Sequence, residues 1–103
     1  MARLLVLYSQ PHDPAAFDAY YAQTHVPLAL KMPGLRGFIT SAESPTALAG
    51  SAPYLVAELE FDTMGDLQAA LASPEGQATA GDLANFAQAG ATVLAYDTSV
   101  KHA

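Results

Sequence analysis

The sequence predicts a single α+β domain, in which helices cover one face of a four-stranded antiparallel sheet. Three observations lead to this fold class. The chain has 103 residues, which suits one domain. Strand-like and helix-like segments follow one another in the order β-α-β-β-α-α-β. Apolar residues make up 51% of the chain, at or above the usual share, so we expect more apolar surface than one small core can bury.

The first strand and the first helix are predicted from the N-terminal quarter of the chain. Leu4 to Tyr8 is a continuous apolar run, which is typical of a strand covered on both faces. Asp13 before Pro14 predicts an N-cap followed by proline at the first helical position. The apolar spacing then predicts a helix to about His25. We expect it to end there, because Pro27 disfavours helical geometry at the residue before it.

The second and third strands are predicted on either side of a loop. Pro33-Gly34 introduces a strand from Leu35 to Ser41, and the Ser/Pro/Gly/Ala-rich stretch from Glu43 to Ala52 is typical of a loop. The third strand is predicted from Pro53 to Phe61, because apolar residues alternate there. One face would carry Leu55, Ala57, Leu59 and Phe61, and the other Tyr54, Val56, Glu58 and Glu60.

Two helices and a final strand are predicted after the third strand. Thr63 and Ser73 each have the position of an N-cap before a helical pattern. Gly76 and Gly81 are expected to weaken the second of these helices, each by about 1 kcal/mol relative to alanine. The last strand is predicted from Ala91 to Tyr96. The inward face of the second helix is expected to consist of Ala80, Leu83, Ala84 and Ala87.

This element order is that of the split βαβ, ferredoxin-like βαββαβ plan. Such a sheet carries helices on one face only. The run Leu4 to Tyr8, with Val56 and Leu94, predicts that the open face is too apolar to be left in water. We therefore predict a homodimer through the open sheet face, in which the two sheets form a barrel-like sandwich.

Composition also excludes several classes of function. The formal net charge is −6, with only four lysine and arginine residues, whereas nucleic-acid binding needs a basic surface. No apolar run approaches the roughly 18 residues of a membrane span, and the N-terminal apolar run is too short for a signal peptide. The lack of cysteine excludes disulfides and thiolate metal sites and is typical of a cytoplasmic protein.

The histidines do not predict a metal site. His12, His25 and His102 are widely separated, and neither an HxH nor an HExxH spacing occurs. The chain also lacks a Gly-rich phosphate loop, a GxSxG motif and a cysteine nucleophile. We therefore expect no metal, and we expect any chemistry to depend on histidine, tyrosine or carboxylate side chains.

Two segments resemble the signature of the EthD family. The first comprises His25-Val26-Pro27-Leu28-Ala29 and Met32 to Phe38; the second, Ala80 to Phe86, is similar to that family's Asp-hydrophobic-x-Asn-Phe stretch. The resemblance covers nearly the whole chain. It implies a dimeric α+β barrel without a dedicated organic cofactor, with a pocket between the helices and the sheet. Relatives by fold include monooxygenases, isomerases and polyketide-modifying enzymes, so the fold does not choose a chemistry.

His25 is the candidate catalytic residue. At the predicted end of the first helix it could project over the sheet, and an imidazole with a pKa near neutrality suits proton transfer. The helix C-terminus would favour its cationic form. The alternative is that His25 caps carbonyl groups at the end of the helix.

Aromatic side chains are the candidate ligand-binding residues. Phe17, Tyr20, Tyr21, Phe38 and Tyr54 would line an apolar pocket for a small apolar or aromatic molecule. Only one of the two neighbouring tyrosines can point fully inward. The alternative for these side chains is packing in the core.

Glu58 is the candidate polar ligand-binding residue on the third strand. If its face of the sheet is the dimer interior, the carboxylate could pair with Arg3 or Arg36. An acid/base pair with His25 is a second reading, and a solvated or interface-paired carboxylate is a third. Asp82 and Asn85 are assigned structural roles.

Three functional hypotheses follow. The first is an EthD-like dimer that binds a small apolar or aromatic metabolite and acts on it by cofactor-free proton transfer or oxygenation. The second is a non-catalytic binding or accessory protein of a degradation or biosynthesis pathway. The third, which the family resemblance suggests, is an accessory component of a cytochrome-type oxidoreductase system. An enzyme needs a titrating group that faces the pocket, whereas a carrier does not.

Overall fold

A computed structural model describes all 103 residues of the chain. Its elements follow the predicted order, which confirms the ferredoxin-like α+β fold. In chain order they are β1 (Ala2–Tyr8), α1 (Pro14–Tyr20), a π-helical turn (Tyr21–His25), α2 (Val26–Ala29), β2 (Gly37–Thr40), β3 (Leu55–Phe61), α3 (Met64–Ala72), α4 (Pro74–Phe86) and β4 (Ala91–Asp97).

The four strands form one antiparallel sheet in the order β2-β3-β1-β4. Leu4 of β1 lies opposite Leu59 of β3 and Ala95 of β4, which places these three side chains on the same face. Burial along β1 alternates, with Leu4, Val6 and Tyr8 buried. The helices pack on this face, which we call the helix face, and the core lies between them.

The predicted helix starts are confirmed by side-chain caps. Asp13, Thr63 and Ser73 each accept a hydrogen bond from the backbone N–H three residues later, at 3.1, 3.0 and 3.0 Å. Each bond satisfies one of the N–H groups that the first turn of a helix leaves unpaired. These caps are local in sequence, which is why the pattern predicted them.

The predicted end of the first helix was wrong, because the helical path continues to Ala29. Proline lacks an N–H group, and its ring clashes with the carbonyl four residues earlier in an α-helix. Here the preceding turn is π-helical, and the Val26 N–H donates to the Tyr21 carbonyl five residues back. This wider turn accommodates Pro27. His25 therefore lies inside the helical path rather than at its end, so it is not a C-terminal cap.

The two glycines of α4 have opposite roles, which corrects the prediction that both weaken the helix. A Cβ atom at Gly76 would overlap the Ala70 carbonyl oxygen of α3. Glycine is therefore needed where α4 begins against α3. At Gly81 a Cβ atom would meet nothing within 4 Å, so only this glycine carries the expected cost.

The buried side of α4 also differs from the prediction. Ala80 and Ala84 are exposed, whereas Asp82 and Phe86 are buried. A carboxylate is rarely buried without partners, and the polar contacts of Asp82 are described below. The inward face of α4 is therefore partly polar.

The second face of the sheet is open in the single chain. We call it the open face; its apolar side chains are Leu5, Leu7, Ile39, Val56 and Leu94. Ile39 is 54% exposed and Leu94 is 46% exposed. The expectation that β1 is covered on both faces therefore does not hold within one chain. None of the helices has the length and apolar character needed to span a lipid bilayer.

Candidate functional site

A small apolar cavity lies between α4, the π-helical turn and the helix face of the sheet. Its volume is about 80 Å³, and 13 of its 16 lining residues are hydrophobic. Leu4 and Leu59 from the sheet and Leu83 from α4 form part of its wall. Ala80 and Val93 also line it and are exposed, so the mouth of the cavity lies between α4 and β4.

Three polar side chains meet at the buried end of this cavity. Tyr8 comes from the end of β1, and Tyr21 and His25 come from the first and last positions of the π-helical turn. Because these two positions are four residues apart on a helical path, their rings lie on one side, with centroids 5.5 Å apart. The Tyr8 hydroxyl lies 3.4 Å from Nε2 of His25.

The other nitrogen of His25 is held by a carboxylate from α4. Nδ1 lies 2.9 Å from Oδ2 of Asp82, and both side chains are buried. Oδ1 of Asp82 accepts hydrogen bonds from the Tyr20 hydroxyl at 2.6 Å and from Nδ2 of Asn85 at 3.0 Å. Burial raises the pKa of Asp82, but the hydrogen bonds from Tyr20, Asn85 and His25 outweigh it and bring the pKa below its usual range. Asp82 is therefore ionised at neutral pH.

The protonation state of His25 follows from its surroundings. Burial lowers the pKa of His25, and the hydrogen bond and negative charge of Asp82 offset this only in part. The imidazole is therefore neutral at pH 7. Because an ionised carboxylate only accepts hydrogen bonds, the proton of the neutral imidazole lies on Nδ1, and this N–H group donates a hydrogen bond to Asp82. Nε2 then presents a lone pair to the Tyr8 hydroxyl, and at 3.4 Å this contact is long for a hydrogen bond, so it holds the lone pair only weakly.

The hydroxyl group of Tyr21 is buried at the same end of the cavity and has no hydrogen-bond partner. Burial raises the pKa of Tyr21 to about 12, and burial also raises the pKa of Tyr8. Both phenols are therefore protonated at neutral pH. An unsatisfied buried hydroxyl costs about 1–3 kcal/mol, so the Tyr21 hydroxyl would gain from a polar group placed in the cavity.

Phe86 closes the site on the side away from the cavity. Its ring centroid lies 4.6 Å from that of His25 and 5.4 Å from that of Tyr20. The ring therefore covers the imidazole and the tyrosine that holds Asp82. Phe86 is buried at the end of α4, and its contacts place the Asp82-His25 pair in a poorly hydrated environment.

Three of the residues predicted from the sequence meet at the cavity. His25, Tyr21 and Phe38 all line it. Of the two neighbouring tyrosines, Tyr21 is the one that points inward, whereas Tyr20 is only partly buried and contacts Asp82 from behind. The hydrogen bonds of the His25 ring go to side chains, so the alternative in which it caps backbone carbonyls is wrong.

Two other predicted aromatic residues do not line the cavity. Phe17 is buried in the core and stacks on Tyr21, with ring centroids 5.9 Å apart. Tyr54 packs edge-on against Phe17, and its hydroxyl donates to Asp18 at the surface, at 2.8 Å. For both side chains the geometry matches the core-packing alternative.

Glu58 lies on the opposite face of the sheet from His25. It is paired with Arg3 at 3.1 Å, as one of the alternatives predicted, whereas Arg36 pairs with Asp62. The suggested acid/base pair with His25 is therefore wrong. Neighbouring residues of a strand face opposite sides of the sheet, so Leu59 faces the cavity beside His25 and Glu58 faces away from it.

Tyr8 and Asp82 belong to the site but were not predicted as site residues. Asp82 is 57 positions from His25 in the sequence, and no spacing rule connects two such residues. The one available signal was its place in the Asp-hydrophobic-x-Asn-Phe stretch. Tyr8 ends a buried strand, where packing in the core explains a tyrosine equally well. No group of three or more histidine, cysteine, aspartate or glutamate side chains is placed to hold a metal ion.

Sequence comparisons identify similar proteins over most of the chain. The sequence model of the EthD domain matches residues 9–90. An uncharacterized 11.0 kDa protein in the thcB-thcC intergenic region of Rhodococcus erythropolis is 42% identical over 99 residues, which cover 94% of each chain.

Solved structures of similar shape agree with this match. An ethyl tert-butyl ether d (ethd) family protein from Bacillus halodurans has a TM-score of 0.86 at 35% identity, covering 96% of this chain and 99% of its own. A dimeric ferredoxin-like protein from Thermobifida fusca has a TM-score of 0.69 at 12% identity, covering 94% and 90%. SnoaB, a cofactor-independent oxygenase from Streptomyces nogalater, has a TM-score of 0.66 at 17% identity, covering 97% and 94%. At such low identity the last two likenesses show the fold alone.

Proposed function

Because the chain belongs to the EthD family, we propose that it binds a small, largely apolar or aromatic molecule in the cavity beside His25 and moves a proton on it without a cofactor. The observation that carries this proposal is the position of His25. Its Nε2 faces an apolar cavity, while Nδ1 is held 2.9 Å from the buried carboxylate of Asp82.

The chemistry of this pair is that of an oriented general base. Asp82 fixes the tautomer and the direction of the imidazole, and its charge stabilises the imidazolium that forms when Nε2 takes a proton. A proton from an acidified C–H or O–H bond of the ligand would move to Nε2. The same group would return it at a second position or exchange it with solvent. The low pKa of His25 keeps the base unprotonated at neutral pH.

The apolar walls of the cavity support an uncharged ligand. The cavity volume of about 80 Å³ is smaller than the ~150 Å³ of an engineered protein cavity that binds benzene. A ring would therefore occupy the buried end only in part, with the rest of the molecule in the mouth between α4 and β4. Phe38 and Leu59 would contact its apolar part.

The same proposal includes a homodimer through the open face. Ile39 and Leu94 on this face are about half exposed, and a structural neighbour is described as dimeric. Arg3 lies among them, and its Nε is buried without a hydrogen-bond partner, so a second copy that supplied an acceptor would satisfy it. Packing two such sheets would remove these apolar side chains from water.

Proton exchange on simple ketones tests the base. Cyclohexanone and acetylacetone are incubated with the protein in D2O, and the loss of the α-proton signals is followed by NMR. We expect the wild-type chain to accelerate exchange. In His25→Gln the protein-dependent exchange rate should be lower by at least about 10²-fold. His12→Gln, which changes an exposed histidine, is the control and should leave the rate unchanged. Saturable binding with no exchange would reject the catalytic role and favour a carrier.

A further inference from the structure

We propose that the hydroxyl groups of Tyr8 and Tyr21 form a binding site for one oxygen atom of a neutral ligand, a ketone or a phenol, and that this pair selects against carboxylates. The inference rests on the proposed function only in placing the ligand in the cavity beside His25. Three independent features of the site carry it: an unpaired donor, the count of donors and acceptors, and the absence of a cation.

The unpaired donor is the Tyr21 hydroxyl. Tyr21 is 8% exposed, its hydroxyl has no hydrogen-bond partner, and it lines the cavity. Buried hydroxyls are nearly always paired. A ligand oxygen at the buried end of the cavity would accept the hydrogen bond that the protein leaves unmade.

The count of donors and acceptors then gives Tyr8 a role that depends on the state of His25. While His25 is neutral, the Tyr8 hydroxyl is the only group placed to donate to Nε2. Once Nε2 has taken a proton, it can no longer accept. The Tyr8 hydroxyl is then free to donate to the ligand oxygen beside Tyr21. The two hydroxyls also lie close enough to interact, because Tyr21 adds to the rise that burial causes in the pKa of Tyr8, and Tyr8 opposes the rise that burial causes in the pKa of Tyr21. The geometry between them is not that of a hydrogen bond, so the Tyr21 hydroxyl is left without a partner.

This change of partners suits a reaction in which charge develops on oxygen. When Nε2 removes a proton from the carbon next to a carbonyl, the electron pair of the broken C–H bond becomes part of an enolate, and negative charge appears on the oxygen. Donors aimed at that oxygen stabilise the enolate more than the ketone. Return of the proton from Nε2 to a carbon atom restores a neutral ligand and a neutral His25.

The charges around the cavity exclude a carboxylate ligand. No lysine or arginine lines the cavity, and the nearest buried charge is the anion of Asp82, behind His25. The whole chain has a net charge of −6. A carboxylate would lose its hydration without gaining a cation, and it would also meet the negative charge of Asp82. A neutral oxygen does not carry this cost.

The selectivity is measured by binding, without turnover. Phenol, toluene and benzoate are titrated at pH 7 against wild type, Tyr21→Phe and Tyr54→Phe by ligand-observed NMR. Phenol and toluene have nearly the same shape, so their difference reports the oxygen. Tyr54→Phe is the matched control, because it removes a tyrosine hydroxyl outside the cavity.

We expect wild type and Tyr54→Phe to bind phenol about fivefold or more tightly than toluene, which is the effect of one buried hydrogen bond, and benzoate weakest of the three. In Tyr21→Phe the preference for phenol should fall to about twofold or less.

A thermal midpoint at or above that of wild type would show that Tyr21→Phe is folded. A preference for phenol that survives in Tyr21→Phe, tighter binding of benzoate than of phenol, or no saturable phenol binding by wild type would overturn the inference. Because ketone exchange depends on His25 and this preference on Tyr21, the two proposals can fail separately.

Discussion

The carboxylate of Asp82 lies 2.9 Å from Nδ1 of His25, although 57 positions separate the two residues in the sequence. The helical path through the π-helical turn supplies the imidazole, and α4 supplies the carboxylate. The pair is buried beneath Phe86 and faces the cavity through Nε2. This juxtaposition makes the cavity a candidate catalytic site as well as a space for a ligand.

Asp82→Asn is expected to impair proton exchange while leaving the cavity in place. The amide removes the negative charge that stabilises the imidazolium and permits the wrong tautomer of His25. We expect a fall in the ketone exchange rate on the order of 10²-fold or more. The pKa of His25, followed by NMR, should fall below the wild-type value, because the charge of Asp82 raises it. Asp18→Asn, at an exposed carboxylate, is the control; an equal loss in both variants would contradict this role for Asp82.

The stability of the protein should decrease in mild acid through His25. Because burial lowers the pKa of His25 in the folded state, the unfolded chain binds more protons at this residue than the folded chain. The free energy of unfolding therefore falls as pH drops below about 6.5, the unperturbed histidine pKa, and continues to fall until the pH passes the folded-state pKa. The slope for one group is at most about 1.4 kcal/mol per pH unit.

Urea unfolding of wild type and His25→Gln between pH 7.5 and 5 tests this linkage. The variant should be less stable at pH 7, because it loses the contact with Asp82, but its stability should vary less with pH. Parallel pH dependences in the two proteins would show that His25 does not titrate in the expected direction.

Substitution of the two glycines of α4 should have opposite effects. Gly76→Ala places a methyl group against the Ala70 carbonyl, so we expect a loss of about 1–3 kcal/mol of stability, as in overpacked sites. Gly81→Ala meets no atom within 4 Å, and we expect a gain of about 0.5–1 kcal/mol from the better helix former. Chemical unfolding of both variants measures these changes in the free energy of unfolding. A gain in stability in Gly76→Ala would mean that α3 and α4 are not so closely apposed.

A charge on the open face should dissociate the proposed dimer. Leu94 lies on the edge strand β4, opposite Leu5 of β1 on the open face, and is 46% exposed. Leu94→Asp would bury an unpaired carboxylate in the interface, and we expect association to weaken by at least about 2 kcal/mol. Light scattering over a concentration series measures the effect.

The matched control is Leu48→Asp, which makes the same change at a loop position that is 97% exposed. It should leave the mass in solution unchanged. A wild-type chain that is monomeric at micromolar concentration, or a Leu94→Asp variant that dimerises as wild type does, would contradict the proposed interface.

Much of the fold was predictable because it depends on short-range patterns. The caps at Asp13, Thr63 and Ser73 are bonds between residues three apart, and the alternation along β3 determines its two faces. Pro27 was misinterpreted because the rule for proline assumes α-helical geometry, and the π-helical turn before it changes that geometry. Gly76 was misinterpreted because its cost in an isolated helix says nothing of the neighbouring carbonyl.

The site was predictable only in part, because sequence patterns report on neighbouring residues and the site joins distant segments. His25 was found through the motif around it and Tyr21 through its helical spacing, whereas Asp82 and Tyr8 come from elements far away in the chain. Glu58 was placed correctly on its strand face. The alternation along β3 separates the two faces of the sheet but does not show which of them holds the cavity.

Taken alone, the amino-acid order determined the types of element, their sequence and the presence of an apolar sheet, because these depend on propensities and periodicities within a few residues. Tertiary packing decided which carboxylate meets His25, that its imidazole is neutral and that the Tyr21 hydroxyl is left unpaired. Hydrogen bonds and burial between distant segments exist only after the chain has folded, and these are the interactions that determine the chemistry of the site.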